Sequence, residues 1–373
     1  MKIGIDCRMI GSKNAGMGRY IEQLVKNILE IDTNNQYCLF VKDRADPVLN
    51  KIKDKSNIKL ITANIPWYSF AEQFRFKKII NKQKLDLMHF PHFNVPYFFR
   101  GNFVVTIHDL IMYHFSRAEA TTLGPIRFWL KDMAHRILLH QVVKRATYII
   151  STSYFSRQDL INVLLVDPKK IIVTYQAPFV ENNKNNLDFD FAKFNIKKDF
   201  VLYVGNAYPH KNLEKLLLVW DILEKKYNIE KQLVLVGREN YFYERLKKNK
   251  LAQKKSIIFT GYIEDKYLPS IYSNASLYVF PSLYEGFGLP PLEAQVFSVP
   301  VVSSNSSCLP EILGEGALYF DPDSADNMAN VINTALTDRD IRYDLIQNAR
   351  ENSPRFSWLK LAKDTLDIYK NSI

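Results

Sequence analysis

The sequence predicts an α/β protein made of two doubly wound parallel sheets in tandem. Short apolar runs alternate with stretches of helical periodicity, as expected of strands covered by helices on both faces. The alternation runs twice, with a polar, Asn-rich break between the two series. At 373 residues and 47% hydrophobic content, the chain is long and apolar enough for two cores.

In chain order, residues 2–7 read as the first strand, and 19–30 repeat apolar residues at helical spacing. Residues 37–41, 58–61, 85–90, 103–108, 148–151 and 171–175 read as further strands. The stretch "ENNKNN", 181–186, reads as linker. A second series follows: "FVLYVG", "QLVLVG", "SIIFTG", "SLYVFPS", "VPVVSS" and "ALYF", several ending in glycine or serine. Residues 356–373 read as a last helix behind Pro354. The boundaries expected are 1–178 for the first domain, 179–355 for the second and 356–373 for the closing helix.

Ligands of such sheets bind outside the carboxyl ends of the strands, so a cleft between the two domains is the expected site. The most informative stretch is "FPSLYEGFGLPPLEA". A strand ends at Phe280, and the loop after it carries Glu285, Gly286 and Gly288. Pro290 and Pro291 suit the first turn of a helix, with Glu293 just beyond. The glycines let backbone amides approach an anion, while two carboxylates suit hydroxyls. A phosphorylated sugar has both needs. The helix macrodipole accounts for one glutamate near a first turn, but not for a second in the glycine loop.

Here the residues resemble a known family. "SLYEGFGLPPLEA" resembles the E-x7-E motif of retaining glycosyltransferases of family 4, which have the GT-B fold. "GIDCRMIGSKNAGMGRYIEQLV", "HFPHFNVP", "VVTIHDLI", "STSYFSRQDL", "YVGNAYPHKNLEKLL", "FTGYIEDKYLPSIYSNASLYVFPS" and "SNSSCLPEILGEGALYFDP" are similar to further segments of that family, in its order. The mannosyltransferase-like members that build O-antigen or capsule chains are the most similar. The resemblance implies two Rossmann-like domains, a nucleotide-sugar held mainly by the second, transfer with retention, and a last helix crossing back to the first domain.

It also implies roles for individual residues. Glu285 lies beside the donor sugar, and Glu293 bonds the ribose hydroxyls. Backbone amides of Gly286, Phe287, Gly288 and Leu289 meet sugar and phosphate. Lys211, just past a strand end, suits a diphosphate leaving group whose charge grows as the glycosidic bond breaks; an exposed surface lysine is the plain alternative. Asn212 is placed to cap the following helix. His108 approaches the donor sugar from the first domain, with Asp109 to orient it. Gly16 and Gly18 form the loop that admits the diphosphate, with Arg19 near it; the spacing GxG alone is weak. Tyr262 borders the nucleobase, or is a plain turn residue. His89 and His92, with Arg19, are the acceptor-side candidates. Many family members read Gly-Arg where this chain has Gly205 and Asn206. Asn206 brings hydrogen bonds but no charge, so Arg238, at a neighbouring strand end, is the candidate second cation. No metal or other cofactor is expected.

The bulk numbers add little about chemistry and more about surroundings. Cys7, Cys38 and Cys308 are few and scattered, which fits a reducing cytosol. The first residues read as strand and turn rather than a signal peptide, and no apolar run is long enough to span a bilayer. Residues 1–180 carry 26 Lys+Arg against 14 Asp+Glu, a balance of +12; residues 181–373 carry 24 against 25. With the aromatic-basic stretches 67–80 and 125–145, this charge fits a peripheral contact with the anionic cytoplasmic face of the inner membrane. In 67–80, Trp67, Phe70, Phe74 and Ile80 are expected on one helical face. A solvated lysine-rich surface and core packing of the aromatics explain the same features. The function expected is hexose transfer, from GDP-mannose first, to a lipid-linked surface polysaccharide. A non-hydrolysing sugar-nucleotide epimerase and a non-catalytic two-lobed sugar-binding protein are the competing classes. Nucleic acid is not expected as a partner, because no recognition motif accompanies the basic excess.

Overall fold

The computed structural model describes residues 1–11, 14–52, 55–115, 125–179 and 189–373. The predicted linker 181–186 lies outside the described residues. The chain divides into two units, Met1–Gln176 with Phe356–Ile373, and Ala177–Arg355.

The first unit holds seven strands: β1 Lys2–Asp6, β2 Gln36–Val41, β3 Ile58–Thr62, β4 Leu87–Phe90, β5 Phe103–Ile107, β6 Tyr148–Ser151 and β7 Ile171–Val173. They lie in the order β3-β2-β1-β4-β5-β6-β7, and every pair is parallel. Successive side chains alternate between two apolar layers. Ile3, Ile5, Leu39 and Val104 enter one; Phe40, Met88, Phe90 and Val105 enter the other. Burial on both faces explains why these strands read as continuous apolar runs.

The helix Ala15–Ile31 buries Tyr20, Ile21, Leu24, Val25, Ile28 and Leu29, one stripe at helical period. The closing helix, Trp358–Lys370, packs on the same layer through Leu361, Ala362, Leu366, Ile368 and Tyr369. It therefore crosses back to the first unit although the chain reaches it from the second.

The second unit holds β8 Phe200–Val204, β9 Leu233–Val236, β10 Ile257–Gly261, β11 Ala275–Phe280, β12 Val301–Ser304 and β13 Ala317–Phe320. Their order is β10-β9-β8-β11-β12-β13, again all parallel. Each sheet has one point where strand order reverses: β1 beside β4, and β8 beside β11. Those points open the crevices in which doubly wound sheets bind ligands. The three cysteines are free and buried.

Two local expectations change. The stretch 67–80 is not one helix with a single aromatic face. It turns at Tyr68, makes one π turn over Glu72–Phe76, and continues as α-helix over Lys77–Asn81. The wide turn shifts the helical phase. Phe76 and Ile80 go to the core, while Phe70 is 88% and Phe74 59% exposed. His89, expected toward an acceptor, is fully buried in β4. One ring nitrogen meets the Tyr369 hydroxyl at 2.6 Å and the other the Thr106 hydroxyl at 2.9 Å. Both nitrogens are used inside the fold, so His89 ties the closing helix to the sheet instead.

The two glycines at the start of the first helix differ in what they tolerate. A Cβ on Gly18 would lie 2.0 Å from the Gly11 carbonyl oxygen and 2.7 Å from that of Met9. A Cβ on Gly16 meets nothing within 4 Å. Gly18→Ala should cost about 1–3 kcal/mol by overpacking. Gly16→Ala should be neutral or gain up to ~1 kcal/mol of helix propensity. Thermal denaturation of the two variants separates them; equal midpoints would contradict this packing.

Candidate functional site

In the second unit the predicted residues gather at the switch point. β8 leads into the loop carrying Asn206 and Lys211, and β11 into the loop carrying Glu285. Tyr203, buried in β8, donates its hydroxyl to the Asn206 carbonyl at 2.7 Å. The Asn206 side chain accepts from the Tyr208 amide at 3.3 Å. A short 3-10 turn, Pro209–Lys211, then ends in Asn212, whose backbone is left-handed at φ 59°. Asn212 stands at the start of the helix Leu213–Tyr227, but its side chain makes no capping bond; its amide donates to the Pro322 carbonyl at 3.1 Å.

This loop is closed against the next one. The Leu283 amide donates to the His210 carbonyl at 2.8 Å. Lys211 Nζ donates to Glu285 Oε1 at 2.5 Å, with the two side chains 13% and 10% exposed. The Glu285 amide donates to the Ser307 hydroxyl at 3.0 Å, and the Cys308 thiol to the Glu285 carbonyl at 3.3 Å. Gly288 has φ 93° and begins the helix Leu289–Val296. A Cβ there would lie 2.8 Å from Leu309 Cδ2, so glycine serves both backbone and packing. Gly286 and Phe287 are buried, and Leu289 is half-buried. Glu293 is buried in that helix, and its Oε2 accepts the Tyr272 hydroxyl at 3.0 Å. Burial first, then the charges of Glu293 and Glu285, oppose the ionisation of Tyr278, against the Val204 amide that donates to its hydroxyl at 3.3 Å.

The neighbouring strand ends bring together Arg238 and Tyr262, the other two residues expected on the donor side. The Arg238 guanidinium, after β9, stands 5.3 Å from the ring centroid of Tyr262, which follows β10. The loops after β8 and β9 touch, because a Cβ on Gly237 would lie 2.0 Å from the Gly205 carbonyl oxygen. Arg238 thus stands one residue from the loop that carries Asn206.

In the first unit, His108 follows β5 and is half-buried. Its Nε2 donates to the Pro91 carbonyl at 3.0 Å, its Nδ1 faces the Gln176 amide at 3.3 Å, and Tyr20 meets the ring edge-on. His92, half-buried after β4, hydrogen-bonds the Asn94 carbonyl oxygen through Nδ1. Arg19 is half-buried in the first helix, and Asp109 accepts from the Ile111 amide at 2.9 Å, capping its own turn. Gly16 is exposed at that helix's start, and Gly18 is packed on its own loop.

Several partners escaped sequence reasoning. Tyr272 and Ser307, which hold Glu293 and Glu285, come from other elements, and no local pattern marks them. Asp6, Arg8 and Glu72 form a buried ion cluster at the first switch point. Its one signal was the pair of charges, Asp6 and Arg8, at the end of an apolar strand.

Comparison with known proteins agrees with this geometry. Residues 185–352 match the family model described as glycosyl transferases group 1, and residues 15–177 the one described as glycosyltransferase family 4. The chain is 27% identical to the O-antigen chain mannosyltransferase B of Escherichia coli, across 99% of this chain and 100% of that protein. It is 27% identical to the O-antigen chain mannosyltransferase RfbU of Salmonella typhimurium, across 71% and 69%. The Anabaena protein HepE, solved with UDP and glucose, superposes over all of both chains with a TM-score of 0.75 at 17% identity. The two sheets are those of the GT-B fold.

Burial makes the first unit sensitive to acid. His89 and His92 are pushed down to about 3, and His108 to about 4, each first by desolvation. All three are neutral in the folded unit at pH 7, whereas in the unfolded chain each titrates near 6.5. Below about pH 6.5 the unfolded state binds more protons, so stability is full above that pH and is lost as pH falls toward 4 and then 3. Each histidine contributes a slope of up to about 1.4 kcal/mol per pH unit. Urea midpoints should fall steadily from pH 6.5 to 4.5, and His92→Asn should flatten the slope. A flat profile would contradict these neutral histidines.

Proposed function

The chain belongs to the family 4 glycosyltransferases of GT-B fold, and on that premise we propose that it transfers mannose from GDP-mannose, with retention at the anomeric carbon. The acceptor proposed is a lipid-linked O-antigen or related surface polysaccharide. The observation that carries this reading is the Lys211–Glu285 pair at the second switch point.

Without ligand, Lys211 and Glu285 neutralise one another in a place of low exposure. A donor diphosphate is the stronger partner for the ammonium, because its charge grows as the glycosidic bond breaks. When it takes Lys211, the Glu285 carboxylate is released toward the sugar, where it bonds hydroxyls or faces the positive charge building at the anomeric carbon. Glu293, oriented by Tyr272, is the group proposed for the ribose hydroxyls. Arg238 and Tyr262, side by side at the next strand ends, supply a second cation and an aromatic face for the nucleotide. Two cations on the diphosphate support a reaction that runs without metal, and turnover in EDTA checks this directly. His108 is proposed to meet the donor sugar as a neutral ring. Similarity to two O-antigen mannosyltransferases supports the sugar and acceptor class.

The proposed place of work is the cytoplasmic face of a membrane. Among the described residues no helix is long and apolar enough to cross one. The helix Pro125–Arg145 exposes Trp129, Leu130, Met133 and Ile137, spaced as one ridge, with Lys144 and Arg145 in its last turn. Phe70 and Phe74 add to the exposed apolar surface of the same basic half. Such a surface suits shallow insertion among anionic head groups.

Two measurements test these proposals. GDP titrated against three chains, with mannose transfer assayed in parallel, tests the site. Glu285→Gln should lower turnover at least about tenfold, about 1.4 kcal/mol in barrier, yet bind GDP no worse than wild type, since Lys211 loses its competing carboxylate. Arg238→Ala should weaken GDP, but not guanosine, by about 1–3 kcal/mol. Wild-type turnover in Glu285→Gln would remove that residue from the chemistry, and an equal effect of Arg238→Ala on both ligands would remove it from the diphosphate. Vesicle sedimentation tests the membrane: the protein should pellet with anionic vesicles at low salt and leave them as salt rises. Equal binding to neutral vesicles would reject the electrostatic part.

A further inference from the structure

The first sheet has its own switch point, where β1 lies beside β4, and a buried ion cluster fills it. The Arg8 guanidinium donates to the two Asp6 carboxylate oxygens at 2.8 and 2.7 Å and to Glu72 Oε1 at 2.7 Å. The Arg8 side chain is wholly buried, and its guanidinium lies 3.7 Å from the Phe76 ring centroid. Burying three charges carries a large desolvation cost before pairing, and an apolar set fills such a space as well. The cluster therefore calls for a role beyond core filling.

What it holds is the loop after β3. The second Glu72 oxygen accepts the Tyr68 amide at 2.9 Å. Tyr68 is left-handed at φ 56°, a conformation unfavourable for an aromatic residue that persists only where its surroundings enforce it. The enforced result is an exposed Tyr68, 55% accessible as a residue, at the carboxyl end of the sheet. The rings of His92 and Phe93 border it, with centroids 6.4 and 6.1 Å away. Lys131 Nζ stands 5.8 Å over the ring, at the outer reach of a cation–π contact and on an exposed side chain. Beside these lies Asn94, 3% exposed. Its carbonyl oxygen is engaged by His92, while its amide nitrogen has no hydrogen bond of normal length and turns only toward the Tyr68 side chain. A buried amide so poorly satisfied is a donor open to a better acceptor.

We propose that Tyr68 and Asn94 form a subsite for a hexopyranose ring of the acceptor glycan, with Glu72 and Arg8 as positioning residues that hold Tyr68 in place. The C–H face of a pyranose lies on the Tyr68 ring, and a ring hydroxyl accepts from the Asn94 amide. The acceptor identity rests on the transferase reading above; the subsite itself rests on the first switch point.

Methyl α-mannobioside is the probe, titrated against the full chain by saturation-transfer NMR, with GDP affinity measured separately by thermal shift. Tyr68→Gly keeps the left-handed backbone without strain and removes only the ring. It should raise the glycoside Kd at least tenfold, while Tyr68→Phe stays within about twofold of wild type and GDP affinity is unchanged in both. Glu72→Ala, which frees the loop, should raise the glycoside Kd at least fivefold and leave GDP affinity unchanged. A wild-type chain that ignores the glycoside, or a Tyr68→Gly chain that binds it as wild type does, overturns the subsite. A matching loss of GDP affinity in Tyr68→Gly overturns it as well, by placing the ring in a nucleotide site. Unchanged glycoside binding in Glu72→Ala removes the positioning role. Absence of GDP binding by wild type, with the glycoside pattern intact, would sink the donor assignment and leave this subsite standing.

Discussion

The pairing of β8 with β11 is the constraint on which the second unit's site depends. Val201 stands beside Leu277 and Leu202 beside Tyr278, so two strands far apart in sequence end together. That register brings Lys211 within 2.5 Å of Glu285, 74 positions further along the chain. The pairing is possible because both strands are apolar on both faces and can lie in the middle of a sheet. Connections on either side then diverge, which opens the crevice and leaves the loops over it to carry charge.

Charge at the two switch points is handled in different ways. In the second unit a single cation meets a single carboxylate, and both retain a little exposure. Such a pair can be divided by a ligand that offers a better counter-charge. In the first unit one arginine is clamped between two carboxylates, with its side chain wholly buried. Breaking that cluster would leave a buried charge uncompensated, at a cost of roughly 3–5 kcal/mol. The first arrangement suits exchange with substrate, and the second suits holding a loop in a strained shape.

The histidines show how residue type and location separate. His89, His92 and His108 all sit at or near strand ends, and by sequence they look alike. Within the fold the His89 and His108 rings are each bonded at both nitrogens, but His89 is fully buried between Tyr369 and Thr106, whereas His108, between the Pro91 carbonyl and the Gln176 amide, is only half-buried at its strand end. Tyr369 belongs to the closing helix, 280 positions away, so nothing near His89 in the sequence announces its burial.

Fold class was legible in the sequence alone, because parallel strands buried on both faces must be short apolar runs, and their crossovers must be helices. The local shape around Glu285 was legible too: two glycines and two prolines after a strand leave little choice but a turn into a helix start. Strand order, and with it the meeting of Lys211 with Glu285, Glu293 with Tyr272 and Arg8 with Glu72, was decided by tertiary structure. Each of those contacts joins loops or helices from separate parts of the chain, and local periodicity carries no information about which strands become neighbours. The same holds for Tyr68. Its sequence context reads as an aromatic helix face, yet the bond from its amide to Glu72, a residue drawn inward by Arg8, turns the backbone left-handed and the ring outward.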